Sequence, residues 1–315
     1  MKRSQALGLI GGAGVAALAG ARAAAADAVH FATIPIDGGA QAWYAQSQGF
    51  FQAAGITPTI DSISNGSAIT AGVIGGTLDV GYSALLTLAV AHEKGVPVSI
   101  IAPAGSYLSR APISTLMVPA DSPAKTARDL NGKVIAVNGL KNITQLATMA
   151  WSDQNGGDAK SLSFVEMGFP EMPAALAAHR VDAAFVSEPI VSSALRNGTA
   201  RNIGTPYDAI APDFTISVWF VTTAYSKANP GLVRRLSSVF RQSSAWANTH
   251  DAESAQILSG ITKLPLPVVG GMTRSRFAET VTAKSLQPII TSAARYGLLA
   301  KAFPAADLID PNAVQ

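Results

Sequence analysis

The chain has 315 residues, of which 48% are hydrophobic and only 14% are charged, with a formal net charge of +3. Its mean hydropathy is +0.27. Disordered chains are polar and highly charged, so this composition excludes a disordered protein, and the length predicts about two domains. Beyond the first 26 residues no apolar run is long enough to cross a membrane, which argues against a polytopic membrane protein. The absence of cysteine excludes disulfides, thiolate metal sites, a thiol nucleophile and lipid attachment at an N-terminal cysteine.

The first 26 residues have the pattern of a secretory signal peptide. Lys2 and Arg3 precede an uncharged segment at 6–21, and alanine-rich sequences of the form A-x-A follow. We therefore predict export, with cleavage near Ala26. Removal of this segment leaves 20 basic against 20 acidic residues, so the net charge gives no reason to expect a nucleic-acid partner.

The first part of the remaining chain alternates between predicted strands and helices. Strands are expected at 30–35, 59–62, 78–82 and 96–102. Helices are expected at 40–52, between Ser67 and Gly75, and at 84–93. This alternation is typical of an α/β fold with a mainly parallel sheet.

The alternation restarts after Met117. Strands are expected at 133–137, 162–167, 181–186 and 215–222, with helices at 142–154, 171–179 and 188–196. The last part of the chain is mostly helical, with predicted helices at 232–248, 252–263 and 274–296.

Two segments, 76–83 and 180–187, resemble each other. Each has an apolar-Asp-apolar strand, built around Asp79 or Asp182, with a serine at the carboxyl end of the strand. Two similar α/β lobes would explain this similarity; the alternative is chance between alanine-rich segments.

The sequence contains no recognisable catalytic or metal-binding motif. Its four histidines, His30, His92, His179 and His250, lack the spacing of a zinc site. There is neither a G-x-S-x-G motif nor a phosphate-binding loop of the G-x₄-G-K-[ST] type. We therefore predict no enzymatic activity, no metal and no cofactor.

Four segments carry a resemblance to a known family. They are AQSQGFFQAAG at 45–55, GTLDVG at 76–81, DLNGKVIAV at 129–137 and VDAAFVSEP at 181–189. In order and spacing they resemble the periplasmic substrate-binding proteins of ABC importers, in the nitrate/sulfonate/taurine group. That group also contains pyrimidine-precursor binders related to a thiamine-pathway enzyme, and the eukaryotic enzyme depends on a cysteine-rich motif that this chain lacks.

The resemblance implies a two-lobed α/β fold of the type II periplasmic-binding-protein kind. Two mainly parallel sheets, flanked by helices, would be joined by two crossover strands near 113–119 and 215–222. Lobe one would comprise 27–115 with 218–315, and lobe two 116–217. Two departures from the family leave the ligand open: the family often has an aromatic where Ser187 stands, and some members have aspartate where Ser217 stands.

The resemblance also implies a function and partners. The chain would be a monomer in the periplasm of a Gram-negative cell. It would capture a small organic anion, such as a sulfonate, a taurine-like compound or a carboxylate, and deliver it to the permease and ATPase subunits of an ABC importer, touching the membrane only through the permease. The alternatives are a nitrate or pyrimidine-precursor binding protein, or a periplasmic sensory module.

The candidate ligand-binding residues follow from the rule that α/β sheets bind ligands beyond the carboxyl ends of their strands, beside helix N-termini. They are Asp37, Ser64, Asn65, Tyr82, Ser83, Asn142, Thr144, Ser187, Glu188 and Trp219. Several have a structural alternative. The Ser, Thr and Asn residues could be helix caps, Asp37 could favour a turn, Glu188 could begin a helix, and the two aromatic residues could be packed in the core.

Overall fold

A computed structural model describes residues 26–313, so almost all of the predicted signal peptide lies outside the described residues. The predicted α/β class is confirmed. The strands are β1 (Asp27–Thr33), β2 (Ile56–Ser62), β3 (Val80–Ala84), β4 (Val98–Pro103), β5 (Gly105–Leu108), β6 (Ser114–Pro119), β7 (Val134–Val137), β8 (Ser163–Glu166), β9 (Ala183–Ser187), β10 (Ala200–Gly204), β11 (Asp213–Thr215), β12 (Ser217–Thr222) and β13 (Arg276–Phe277). The α-helices are α1 (Gln41–Ser47), α2 (Phe50–Ala53), α3 (Gly66–Ile74), α4 (Leu85–Glu93), α5 (Ile143–Gln154), α6 (Met172–Ala177), α7 (Ile190–Arg196), α8 (Thr223–Ala228), α9 (Pro230–Ala247), α10 (Asp251–Thr262), α11 (Leu266–Val269) and α12 (Ala283–Arg295).

The strands form two five-stranded sheets and a smaller one. The first sheet has the order β2-β1-β3-β12-β4 and the second the order β10-β6-β9-β7-β8. In each sheet four strands run in one direction and one is reversed, β12 in the first and β6 in the second. The sheets are therefore mixed, although most strands share a direction as expected.

A three-stranded connecting sheet, β11-β5-β13, explains the reversed strands. The chain leaves the first sheet through β5 and returns through β11, and these two strands pair antiparallel, with Tyr107 opposite Phe214. The connections between the two sheets are therefore β5 and β11, each one strand earlier in the chain than the predicted crossover. β5 leads directly into the reversed strand β6, and β11 leads directly into the reversed strand β12. The predicted lobe boundaries, 115/116 and 217/218, fall at the beginnings of β6 and β12 and stay a prediction.

The similarity between the two Asp-containing segments has a structural counterpart. Asp79 accepts a hydrogen bond from His30 N at 2.8 Å, and its own N–H donates to the His30 carbonyl at 2.9 Å. Asp182 forms the same pair of bonds with Val134, at 2.9 Å each. In both sheets an aspartate therefore ties the beginning of one parallel strand to its neighbour.

Two predicted helices differ from the structure. The helix expected at 40–52 is divided into α1 and α2 because Gly49 has a φ of 73°, which no α-helical residue adopts. The helix expected at 274–296 is wrong over its first nine residues. Arg276 pairs with Ser106 of β5, and Thr282 accepts from Ser285 N at 3.2 Å, so that α12 begins only at Ala283. Within residues 26–313, no helix is both long and apolar enough to cross a membrane.

Candidate functional site: a cavity between the two sheets

A cavity of about 50 Å³ lies between the first and second sheets. On the side of the first sheet its wall comes from the end of β1, the beginning of α3, the end of β3 and the beginning of β12. On the other side it comes from the beginning of β6, the loop between β7 and α5, and the end of β9. We call these the first wall and the second wall. Parts far apart in sequence thus enclose one space, as in a binding cleft.

Three helices begin at the cavity. Asn65 caps α3 by accepting from Ala68 N at 2.9 Å, and Gly66 and Ser67 of that helix line the wall. Asn142 caps α5 by accepting from Thr144 N at 2.9 Å, and both side chains line the wall. The first turn of α4 also lies on the wall. Helix N-termini carry partial positive charge and free N–H groups, so their convergence favours a ligand with negative charge or acceptor atoms.

No Asp, Glu, Lys, Arg or His lines this cavity in the part of the chain that the structure describes. Its polar groups are hydroxyls and amides, and its apolar groups include Ile34, Ile36 and Phe169. An ammonium group on a ligand would therefore meet no carboxylate here, and a buried charge without a partner is costly. The same wall offers hydroxyl groups but no side-chain base to activate one.

The polar groups of the second wall bond to one another. Asn138 Oδ1 accepts from the Asn142 amide at 2.8 Å, and the Thr144 hydroxyl lies 3.1 Å from Asn138 Oδ1 and 2.7 Å from Asn142 Oδ1. The Ser114 hydroxyl donates to Ser187 Oγ at 3.0 Å. These groups are at most 8% exposed, so the network holds their side chains in fixed orientations.

One buried hydroxyl of the first wall has no hydrogen bond of regular geometry with the described residues. Ser217 is 2% exposed, and among those residues its Oγ interacts only with the Tyr82 hydroxyl, in a geometry short of a regular hydrogen bond. Nearby, burial raises the pKa of Tyr82 to about 12, a rise that the Ser217 hydroxyl partly offsets and the charge of Asp37 increases. Tyr82 therefore keeps its proton at neutral pH. A buried hydroxyl without a partner costs about 1–3 kcal/mol, so a ligand atom that bonds to Ser217 would recover part of that cost.

The structure brings four of the ten candidate residues onto the cavity wall: Tyr82, Asn142, Thr144 and Ser187. Ser64 lies beside the cavity, on the edge of a neighbouring groove. The other five, Asp37, Asn65, Ser83, Glu188 and Trp219, lie off the wall.

Asp37 lies off the wall because its carboxylate is already fully bonded. Arg274 Nη2 donates to its Oδ1 at 2.9 Å and Arg274 Nε to its Oδ2 at 3.2 Å, while Tyr44 and Ser275 N also donate to it. Burial by itself would lower the pKa of Arg274, but Asp37 more than offsets this, and the net pKa is raised. The aspartate thus anchors the turn that carries Gly38, which does line the cavity.

The remaining four have structural partners of their own. Trp219 donates to Gln41 at 2.7 Å and stacks on Phe240 at 4.3 Å, so it belongs to the core. The Ser83 Oγ lies 3.4 Å from the carbonyl oxygen of Gly66, behind the beginning of α3.

Asn65 and Glu188 make contacts between the two halves. Besides capping α3, Asn65 donates to Glu166 at 3.3 Å, a bond that joins α3 to the end of β8. The Glu188 carbonyl accepts from Asp37 N at 3.4 Å, which joins the halves, while its carboxylate accepts from Ser192 N and Oγ at 3.0 and 2.8 Å. Its pKa is raised to about 7, chiefly by burial, and the charge of Asp37 contributes.

Sequence reasoning missed part of the wall for two reasons. β6 and β12 are reversed, so their amino ends face the cavity and place Ile113, Ser114, Ile216 and Ser217 there. The rule for α/β sheets points to the carboxyl ends of strands and so omits these four residues. Hydrophobic wall residues such as Phe169 carry no sequence signal that distinguishes them from core residues. No group of three or more His, Asp or Glu in residues 26–313 is arranged to hold a metal ion.

A family model described as NMT1/THI5 like matches residues 40–254. The chain belongs to the NMT1/THI5-like family. No curated protein matches it in sequence. The family membership agrees with the resemblance to periplasmic substrate-binding proteins that the sequence motifs predicted.

Several crystal structures resemble this NMT1/THI5-like chain. The periplasmic nitrate-binding protein NrtA from Synechocystis has a TM-score of 0.78 at 14% identity, covering 90% of this chain and 86% of its own. The alkanesulfonate-binding protein SsuA from Xanthomonas axonopodis, bound to MOPS, has a TM-score of 0.76 at 18% identity, covering 90% of this chain and 98% of its own. The aliphatic sulphonate-binding protein SsuA from Escherichia coli has a TM-score of 0.72 at 17% identity, covering 92% of this chain and 94% of its own. At sequence identities this low, the structural similarity establishes the fold alone, which is that of periplasmic binding proteins.

Proposed function

We propose that this chain is the periplasmic solute-binding component of an ABC importer. It captures a small organic anion, a sulfonate or a carboxylate, in the cavity between the two sheets, and delivers it to the permease and ATPase subunits. The observation that carries the anion assignment is the convergence of three helix N-termini on a cavity without charged side chains.

The arrangement supports capture by closure. Ligand-facing groups come from both halves of the molecule, so the site is complete only when the two walls meet. The Asn65–Glu166 hydrogen bond joins the halves beside the cavity and stabilises the closed arrangement. Hinge motion about a pair of connecting strands, here β5 and β11, is the usual way in which such proteins enclose a ligand. The absence of a base from the described wall supports binding rather than turnover.

A second candidate ligand is nitrate, because NrtA has the same fold. The apolar part of the wall, with Ile34, Ile36 and Phe169, favours an organic ligand over an inorganic one. A pyrimidine precursor is the neutral alternative, since the group that the sequence motifs resemble includes pyrimidine-precursor binders.

Calorimetric titration of the purified protein with methanesulfonate, butanesulfonate, butyrate, nitrate, taurine and an aminopyrimidine tests the ligand class. We expect the organic monoanions to bind, and taurine to bind more weakly because its ammonium group has no partner. Binding of the aminopyrimidine alone would contradict the anion assignment.

Asn142→Asp sharpens the test. Aspartate caps a helix as well as asparagine does, but it places negative charge at the N-terminus of α5 and removes the amide that donates to Asn138, so the thermal transition of the variant is measured alongside. We expect at least a tenfold loss of anion affinity, since like charges a few ångströms apart in a partly buried site repel by several kcal/mol. Binding of a neutral ligand would change little. Neighbouring permease and ATPase genes, as opposed to a receptor gene, separate import from a sensory role.

A further inference from the structure

A second cavity of about 210 Å³ lies directly beside the first. Its wall is formed by Pro35, Ile63 and Pro170 together with three residues that also line the central cavity, and Ser62 and Ser64 lie at its edge. The shared residues are Ile34, Ile36 and Phe169. We call this second cavity the side groove.

The side groove differs from the central cavity in chemistry. Apart from the two edge serines, its wall is made of isoleucine, proline and phenylalanine. No helix of eight or more residues begins on the described part of that wall. An apolar recess that continues from a polar cavity suits the hydrocarbon part of a ligand whose polar group lies in that cavity.

The partition between the two spaces comes from both halves of the molecule. Ile34 and Ile36 follow β1 of the first sheet, while Phe169 lies in the connection between β8 and α6 of the second. Phe169 is 4% exposed, so its ring fills the junction rather than projecting into solvent. The size of this side chain therefore determines how far a ligand can extend from the central cavity into the groove.

We propose that the ligand carries an apolar arm, an alkyl or aryl group, that lies in the side groove, and that Phe169 determines the length of arm that is accepted. This inference rests on the proposed function, because it assumes that the polar group of the ligand binds in the central cavity. An inorganic anion would leave the groove unused. Each methylene buried there adds about fourfold to the affinity.

The test compares methanesulfonate, butanesulfonate and octanesulfonate by calorimetric titration of the wild type, Phe169→Ala and Phe169→Trp. We expect the wild type to bind butanesulfonate at least tenfold more tightly than methanesulfonate. Phe169→Ala should shift the preference toward octanesulfonate by about tenfold, and Phe169→Trp should shift it toward methanesulfonate.

Phe164→Ala is the matched control, because Phe164 lies on β8 of the same sheet, packs against the core and lies outside both cavities. It should leave the dependence on chain length unchanged. If Phe169→Ala does not fold, as judged by its thermal transition, Phe169→Leu takes its place. Equal profiles for wild type and Phe169 variants, or no gain from methanesulfonate to butanesulfonate, would overturn the inference while leaving the proposed function intact. Failure of every sulfonate and butyrate to bind folded wild type would overturn both.

Discussion

The two walls of the cavity use their polar groups differently. In the second wall Asn138, Asn142 and Thr144 bond to one another, whereas in the first wall Ser217 Oγ forms no hydrogen bond of regular geometry with the described residues. The second wall is thus organised before any ligand arrives, and the first wall keeps hydrogen-bonding capacity for the ligand. Away from the cavity the two sheets share one feature, since Asp79 and Asp182 make the same bonds.

The largest expected effect comes from removing the support of the first wall. Arg274→Met leaves the carboxylate of Asp37 buried without its charge partner, which should lower the free energy of unfolding by about 3–5 kcal/mol in urea denaturation. Arg276→Met is the control, because the Arg276–Asp251 pair is about half exposed and should cost less than about 1 kcal/mol. Adding Asp37→Asn to Arg274→Met should recover part of the loss. Equal losses for the two arginine variants would show that burial of the pair is unimportant.

A second comparison uses matching strand positions. Gly81 lies opposite Ala32 in the first sheet, as Ala184 lies opposite Ala136 in the second. A Cβ on Gly81 would come within 2.6 Å of the Phe220 ring, so Gly81→Ala should destabilise the protein by about 1–3 kcal/mol through overpacking. Ala184→Gly should cost about 1–2 kcal/mol, from backbone entropy and from the loss of a buried methyl group. Thermal and urea unfolding would show whether the first sheet is the more tightly packed at this position; a neutral Gly81→Ala would contradict it.

The contact between the halves at Glu188 predicts a pH dependence. Because its pKa is raised from 4.5 to about 7, the folded state holds a proton that the unfolded chain has already released. Stability should therefore fall as the pH rises from about 4.5 to 7, by about 3 kcal/mol, and then level off. In Glu188→Gln this fall should be absent, as measured by urea denaturation across that range. A parallel pH profile in the variant would rule out Glu188 as its source.

The smallest effects test the walls themselves. Ser217→Ala removes a buried hydroxyl that lacks a hydrogen bond of regular geometry, so the unliganded protein should be equally stable or gain up to about 1 kcal/mol. Ser187→Ala removes a bonded hydroxyl and should lose about 1 kcal/mol. Affinity for butanesulfonate should fall about tenfold in Ser217→Ala. Equal destabilisation by the two changes would remove the distinction between the walls.

Local patterns predicted much of the fold. The strand and helix alternation, the turn before α3 and the cap of α5 all depend on residues close in sequence, and Asn65 and Asn142 cap these helices in the structure. The candidate residues that line the cavity, such as Tyr82 and Thr144, lie at the carboxyl end of a strand or in the first turn of a helix. Position in a local pattern was enough to find them.

By itself, then, the sequence determined the α/β class, the family and the helix N-termini that face the cavity, because these follow from periodicity, capping residues and motif spacing. Only the tertiary structure decided that the Asp37 carboxylate pairs with Arg274, which lies 237 residues away, and that Trp219 is buried against Phe240. It also decided that Ser217 faces the cavity, since the direction of β12 depends on where the chain returns from the second sheet. Pairings between distant segments depend on the whole packed molecule, and no local pattern encodes them.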